Sequence, residues 1–502
     1  MTEKVLPKHR NHPQEERGVS DWEKIEAVLQ NPWFWDTASQ IPEGDKRRGG
    51  RPNIYPRWLL LFFDCLADIF DSARNADTQI AVRHGIYWPL ICDLVVLYAP
   101  DPAYHLPAQP PSRSWYVKTR DRLLKSHPEL LDALGFRTED GAVQIALTLG
   151  LLQPDGPGTP SHPDKTRLLH VDGKVVAAMY GTVPGDTRLR RVVNTETGEI
   201  TKKEVPIARW DADATKQLVG GGAEPYGNKF WHSAVAAEHV HEHVILQVRH
   251  VPDIKHTGSS ENHVALAALR SLAPKVPGAL GVLSDNVFHG KEIDRLEQEL
   301  GWVVINPTAA AKLSADKRRR VKEKEGALTD VAFAYPDGST DSVAIWYRRG
   351  RLHRAAYLND GTIDLSPLTR LDSPIEQNPD GTYRTYVEYE VPDPRGGPPK
   401  RHRERTYNDA EDEARGFNRA ENVRQIPFGD PDYERLYGRR SNAESVNRRI
   451  DDELYLRRAR TLGYRRQHLN LIAHQIVVNS VALKRCDPRT IRDTWLSEVQ
   501  AA

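Results

Sequence analysis

The chain has 502 residues, 28% of them charged, and a formal net charge of only +1, so any electrostatic specialisation must be local. Its three cysteines, Cys65, Cys92 and Cys486, are odd in number and far apart, which excludes a disulfide framework and a CxxC metal site and fits a reducing compartment. The most apolar runs, WLLLFF and LICDLVVLYA, are too short to span a bilayer, and the N-terminus lacks the apolar segment of a signal peptide, so a cytoplasmic protein with no membrane partner is expected.

In chain order, residues 1–50 are polar and Pro/Gly-rich, ending in GDKRRGGRP, and read as a mobile polar arm. Residues 51–150 have helical spacing, with Ser72 as a candidate cap between helices. One helix, SRSWYVKTRDRLLK, carries Arg113, Lys118, Arg120, Arg122 and Lys125, so a helical DNA-binding domain is expected, with a purely structural helical domain equally compatible with these residues. The Pro/Gly-dense stretch 151–165 reads as a linker. From 166 to 308, short β-rich runs give way to a strand, helix, strand alternation, which predicts an α/β sheet.

Residues 309–430 contain the turn signals YPDGS, LNDGT and QNPDGT and read as a β-rich insertion. Within it Tyr383, Thr385, Val387, Tyr389 and Val391 fall on one side of a strand and Arg384, Glu388 and Glu390 on the other. The polar segment PRGGPPKRHRERTYNDAEDEARG reads as a disordered loop. Residues 431–485 return to helix, and 486–502 form a tail.

Three carboxylates stand out. Asp172 interrupts an apolar strand, LLHVDGKVVAAM, where a charge is costly unless compensated. Asp285 ends a second buried run, LGVLSD, where capping of the next helix is the ordinary alternative. Glu444 sits in RLYGRRSNAESVNRRI, where surface ion pairs are the ordinary alternative. If the two aspartate strands adjoin and the glutamate helix packs on them, the three acids converge. Such an oxygen-only site suits Mg²⁺, with Mn²⁺ as substitute, and two such ions can clamp the oxygens of a phosphodiester displacement. Tyr437, Arg440, Glu444, Arg448 and Asp451 recur at intervals of three or four, which on a helix gives a carboxylate flanked by phosphate-gripping guanidiniums.

This ordered set, HVDGK, LSDNVFHG and YGRRSNAESVNRRID, resembles the DDE transposases of bacterial insertion sequences. It looks closest to the branch with a Tyr-x2-Arg-x3-Glu-x6-Lys signature and a β-rich insertion before the glutamate. Tyr437, Arg440 and Glu444 match that spacing, whereas Asp451 stands where the family has lysine, leaving Arg448 or Arg449 as substitute cations.

The resemblance covers roughly residues 165–485. It implies a ribonuclease H-like fold: an α/β mixed sheet flanked by helices, with the aspartate strands adjacent and the insertion interrupting it. It also implies Asp172, Asp285 and Glu444 as catalytic metal ligands holding two Mg²⁺ ions. The activity implied is nicking of DNA at transposon ends by water, followed by joining of the freed 3′-OH to target DNA, commonly as a homodimer on the DNA. Phosphate contacts are expected from Tyr437, Arg440, Arg448 and Arg449, and from Lys229 in YGNKFWH.

The alternative function is a transposase-derived DNA-binding protein without catalysis, suggested by Asp451. His239, His241 and His243 alternate as zinc ligands would on a strand, although a sheet edge without metal is the better explanation, since no fourth ligand is evident. Core packing is the expected role of Trp231, Trp302 and Trp346.

Overall fold

The computed structural model describes residues 19–43, 54–82, 87–101, 104–193, 200–207, 209–217, 224–236, 243–252, 260–285, 287–307, 325–438, 441–455 and 458–485. Residues 19–43, expected as part of an arm, instead form two helices that enter the core. Helix α1 (Asp21–Gln30) starts at a capping box in which the Glu23 N–H donates to Ser20 Oγ and the Ser20 N–H to Glu23 Oε2. Helix α2 (Pro32–Ala38) has Asn31 as its cap and proline in its first turn. Ile25, Val28, Leu29, Phe34 and Trp35 are buried. The helical period is short and flanked by long polar stretches, which is why composition alone reads as an arm.

Helices α3 (Leu59–Ile69), α4 (Ala73–Asp77), α5 (Tyr87–Tyr98), α6 (Arg113–Ser126) and α7 (Leu130–Thr148) follow. Ser72 caps α4 as expected, through the Asn75 N–H. Every residue of α3 is buried. Its Asp64 accepts from Tyr116 Oη at 2.6 Å, and Arg120, one of the cations expected to face DNA, is buried against that same hydroxyl at 3.2 Å.

Strand β1 (Leu168–Ala177) is followed by a separate hairpin, β2 (Thr187–Val193) and β3 (Ile200–Pro206). Then come β4 (Thr215–Lys216), β5 (Tyr226–Val235), β6 (Val244–Val251), helix α8 (Glu261–Leu272), β7 (Gly281–Ser284), helix α9 (Gly290–Leu300) and β8 (Val303–Ile305). They build one six-stranded mixed sheet in the order β4–β5–β1–β7–β8, with β6 also on β5. β1 is antiparallel to β5 and parallel to β7, and β7 is parallel to β8. The chain is therefore mixed α/β. The expected linker at 151–165 is partly internal: Leu151, Leu152 and Ser161 are buried, and Arg167 Nε donates to Gly278 O at 2.6 Å, joining the segment's end to the loop before β7.

The insertion is β-rich as expected. Strands β9 (Glu325–Ala334), β10 (Thr340–Arg348), β11 (Arg351–Tyr357) and β12 (Ile363–Pro367) form one antiparallel sheet. Strands β13 (Thr369–Asp372), β14 (Ile375–Gln377), β15 (Tyr383–Val391) and β16 (Lys400–Arg405) form another around β15. Thr385, Val387, Tyr389 and Val391 are buried, in keeping with the predicted alternation. The segment read as a disordered loop contains β16. Its cations hold it there: Arg401 bonds Glu388, and Arg403 Nη2 lies 2.5 Å from Glu376 Oε1. Cross-strand charge pairing disguises this strand as a solvated run.

Helices α10 (Ala410–Ala414), α11 (Arg419–Asn422), α12 (Pro431–Tyr437), α13 (Ser441–Arg449) and α14 (Tyr464–Arg485) complete the chain, with a π-helical turn at Ile450–Leu454 continuing α13. Helix α14 is buried from Gln467 to Leu483 because it serves three cores, its end adding Ala482 and Leu483 to the one that holds α7 and α8. Leu469, Ile472 and Ile476 pack with the N-terminal helices, whereas Leu471 and Val478 pack with Phe230, Ile245 and Val248 of the sheet. A bulge in β6 leaves backbone groups for α14 to satisfy: Gln475 Nε2 donates to Ile245 O at 2.9 Å and Leu246 O at 3.0 Å, and Asn479 Oδ1 accepts from the Ile245 N–H at 2.8 Å. Among the described residues no helix is long and apolar enough to cross a membrane.

The insertion meets the mixed sheet's helix α9 at Glu297, whose Oε2 accepts from Thr385 Oγ1 and Thr406 Oγ1, both at 3.1 Å. Burial pushes this carboxyl from 4.5 up to about 8, against the pull of Arg424. It is therefore mainly protonated at neutral pH. A raised carboxyl contributes stability that is fully present below its unfolded value and lost as pH rises through the folded one. Urea midpoints should accordingly fall between about pH 5 and about pH 9, and Glu297→Gln should flatten that part of the slope.

Candidate functional site

Asp172 lies in the middle strand of the mixed sheet. The β1/β7 ladder runs in step from Leu168↔Gly281 to Val171↔Ser284, so the next position on the two chains is Asp172 beside Asp285. Continued by one residue, that register sets Asp172 level with Asp285, which follows the last residue of β7. Helix α9 begins at Gly290 with His289 at its cap position, so Asp285 does not serve as that helix's cap.

The third acid arrives on α13. Ala443, Val446 and Ile450 are buried against Val176, Phe230 and Val248 of the sheet, which sets the helix on β1 and β5. The adjacent stripe, Glu444, Asn447, Arg448 and Asp451, faces a cleft of about 580 Å³ whose wall also includes Lys174, Val175, Ala177 and Asp452. Glu444 is exposed in the first turn of α13.

Asn447, one turn after Glu444, joins the helix to Asp172. Its Nδ2 donates to Asp172 Oδ2 at 2.9 Å, and its Oδ1 lies 2.9 Å from His232 Nε2. Since the amide offers its oxygen to the ring, His232 Nε2 must carry the proton. His232 faces Asp172 across the β1/β5 ladder and is buried. Burial holds its pKa below the ordinary histidine range despite the nearby Asp172 carboxylate, so the ring is neutral. The other Asp172 oxygen, Oδ1, accepts from the Gly173 N–H at 2.8 Å.

The sequence-derived cations are distributed unevenly. Lys174, two residues beyond Asp172, forms an ion pair with Asp451. The acid at the expected lysine position is thereby neutralised by a lysine from β1. Arg448 is exposed on the cleft wall, and Arg449 Nε bonds Glu453 Oε1 at 3.1 Å. Lys229 lies within β5, not in a turn, and its Nζ donates to Glu261 Oε2 at 2.5 Å. That pair lies over Gly173, where a Cβ would meet Glu261 Oε1 at 1.7 Å, so a side chain after Asp172 would require the Glu261 carboxylate to shift.

Tyr437 closes α12, a separate helix from the one carrying Glu444, and its ring stacks on Tyr433 at 5.0 Å between centroids. Arg440, His239 and His241 lie outside the described residues, and His243 just precedes β6. Trp231 and Trp302 are core residues as expected, and Trp346 is half-buried.

Sequence reasoning missed Asn447, His232 and Lys174. The available signals were a histidine inside the apolar run KFWHSAV and an asparagine one helical turn from the singled-out glutamate. Among the described residues, no group of three or more His, Cys, Asp or Glu side chains is gathered to hold a metal ion. The acids that adjoin the cleft offer oxygen donors alone, which suits a hard dication in chemistry. No family model matches the chain, and no curated protein matches it.

Asn447→Ala should leave Asp172 Oδ2 and the His232 ring without their bridge. The expected cost is about 1–3 kcal/mol of unfolding free energy, the penalty for buried polar groups that lose a partner, read from denaturant curves. Asn447→Gln, which keeps the amide but displaces it, should fall between wild type and alanine.

Proposed function

We propose that this chain is a metal-dependent DNA transposase of the DDE type with a ribonuclease H-like catalytic domain. The observation that supports the reading is the register of the parallel strands β1 and β7, which extended by one residue sets Asp172 level with Asp285, together with the glutamate-bearing helix tied to Asp172 through Asn447. The mixed strand order, with the first strand central, and the β-rich insertion ahead of α13 support the same fold reading. Asp172, Asp285 and Glu444 are the residues that would hold Mg²⁺ or Mn²⁺, since carboxylate oxygens match such ions.

Bound there, two ions would activate water and stabilise the charge that develops on the phosphate. The protein's own side chains do the rest. Asn447 orients Asp172 and keeps its carboxylate turned toward α13. His232 stays neutral and fixes the orientation of the Asn447 amide. Arg448 on the cleft wall offers a guanidinium to the DNA backbone, one turn before the Asp451 that pairs with Lys174. The substrates on this reading are transposon ends and target DNA, handled by a homodimer.

A second reading, a transposase-derived DNA-binding protein without catalysis, is favoured by the Lys174–Asp451 pair. A cation already neutralised in the cleft wall is less available to a phosphate.

Supercoiled plasmid incubated with Mg²⁺ separates the two. Wild type should convert it to open circles, and Glu444→Gln should lower that rate at least about 10³-fold, the scale on which loss of a group stabilising the transition state is felt, while retaining DNA binding. Equal nicking by both proteins would remove the catalytic assignment. Binding with no nicking by wild type under Mg²⁺ or Mn²⁺ would establish the second reading.

A further inference from the structure

The hairpin β2/β3 departs from the charge balance of the rest of the chain. Its strands read TRLRRVV and ITKKEVP, five cations with one acid, in a protein whose net charge is +1. The antiparallel register sets Arg190 opposite Lys203 and Arg191 opposite Lys202. Like charges directly opposite destabilise a ladder, and an isolated two-stranded sheet is only marginally stable in water. Sequence and register alike call for an anion.

The hairpin is well exposed. Arg188, Arg191 and Lys202 are exposed, and so are two apolar residues, Leu189 at 65% and Ile200 at 62%. By strand alternation Leu189, Arg191, Lys202 and Ile200 share one face with the single acid Glu204, which stands opposite Leu189, and Arg188 lies on the other face. The two legs are tied to each other at the base: the Ile207 N–H donates to Asp186 O at 2.9 Å, the Val183 N–H to Asp186 Oδ2 at 2.8 Å, and Thr182 Oγ1 to Arg209 O at 2.6 Å. It leaves the sheet beyond Ala177, the end of β1 that lines the cleft.

We propose that β2/β3 is a DNA-reading ribbon that enters the major groove of B-form duplex beside the cleft. Two strands about 5 Å apart and seven residues long, roughly 23 Å at strand rise, fit a groove about 12 Å wide that admits a two-stranded ribbon. The cations meet the phosphates along the groove walls, and Leu189 and Ile200 offer apolar contact to base edges such as the thymine methyl. The ribbon shares with the transposase reading only the choice of DNA as partner, and it requires no catalysis.

The test is fluorescence anisotropy of the full chain on a labelled random-sequence DNA duplex across a salt series. The triple variant Arg188→Ala, Arg191→Ala, Lys202→Ala should bind at least about tenfold more weakly at low salt. The slope of log affinity against log salt should become shallower by about 2–3, one counterion being released per phosphate contact. The charge-keeping variant Arg188→Lys, Arg191→Lys, Lys202→Arg should retain the wild-type slope, which separates charge from folding.

An unlabelled RNA duplex of the same length should compete poorly, because its deep, narrow major groove excludes a ribbon. Unchanged affinity in the triple variant, equal competition by RNA, or no DNA binding by wild type would each overturn the proposal. Ribbon-dependent binding by a wild-type protein that nicks nothing would remove the transposase reading and support this one.

Discussion

A carboxylate on the middle strand of a sheet has to be compensated, and at Asp172 the compensation reaches across the fold. Asn447 from α13 donates to the carboxylate and receives from His232 of β5. Three segments far apart in sequence are locked by two hydrogen bonds of ordinary length. Asp172 is half-buried and His232 fully buried, and leaving a buried polar group without its partner costs about 1–3 kcal/mol, so the position of α13 on the sheet matters to the fold as well as to the cleft. Beside Asp172 the Lys229–Glu261 pair lies over Gly173 and would have to shift to admit a side chain there.

The second organising element is α14. A helix buried on all sides normally carries an apolar surface, yet this one holds Gln467, Asn470, His474, Gln475 and Asn479 inside the protein. Each answers a specific partner: Asp211 and Asn228 for Gln467, Asp64 for Asn470, Asp68 for His474, and the bulged β6 backbone for Gln475 and Asn479. Such matched polar groups specify one register between helix, sheet and N-terminal helices, because any slip strands several buried partners at once. The N-terminal helices are joined to the sheet through this helix and directly through α7, whose Ala142, Val143 and Ala146 share a core with Trp231 and Leu246, and they are not a module on a tether.

The near-zero net charge conceals a strongly sorted surface. The β2/β3 hairpin concentrates cations, while the cleft wall alternates Glu444, Arg448, Asp451 and Lys174. At the position where the resemblance calls for a helical lysine, the acid Asp451 meets a lysine supplied by the neighbouring strand. The pair keeps a cation near the acids while tying the π-helical turn to β1.

Much of the fold was legible because its signals are local. Strand alternation around Val387 and Tyr389, the cap at Ser72, the helical period of ENHVALAALRSL and the apolar strands bearing Asp172 and Asp285 each follow from a few neighbouring residues. Those signals also singled out the three acids. Charge pairing between strands hid β16, and a short helical period between polar stretches hid α1 and α2, because composition averages over the contacts that compensate each charge.

Asn447, His232 and Lys174 were beyond reach for a different reason: each acquires its role from a partner on another element, and register and helix docking are set by packing across the whole chain. The sequence by itself determined which side chains were available and on which elements they ride. Only the tertiary structure decided that Asp172 stands level with Asp285, that Asn447 holds it, and that Lys174 meets Asp451, because those neighbours are created by ladder register and by burial of α13 on the sheet.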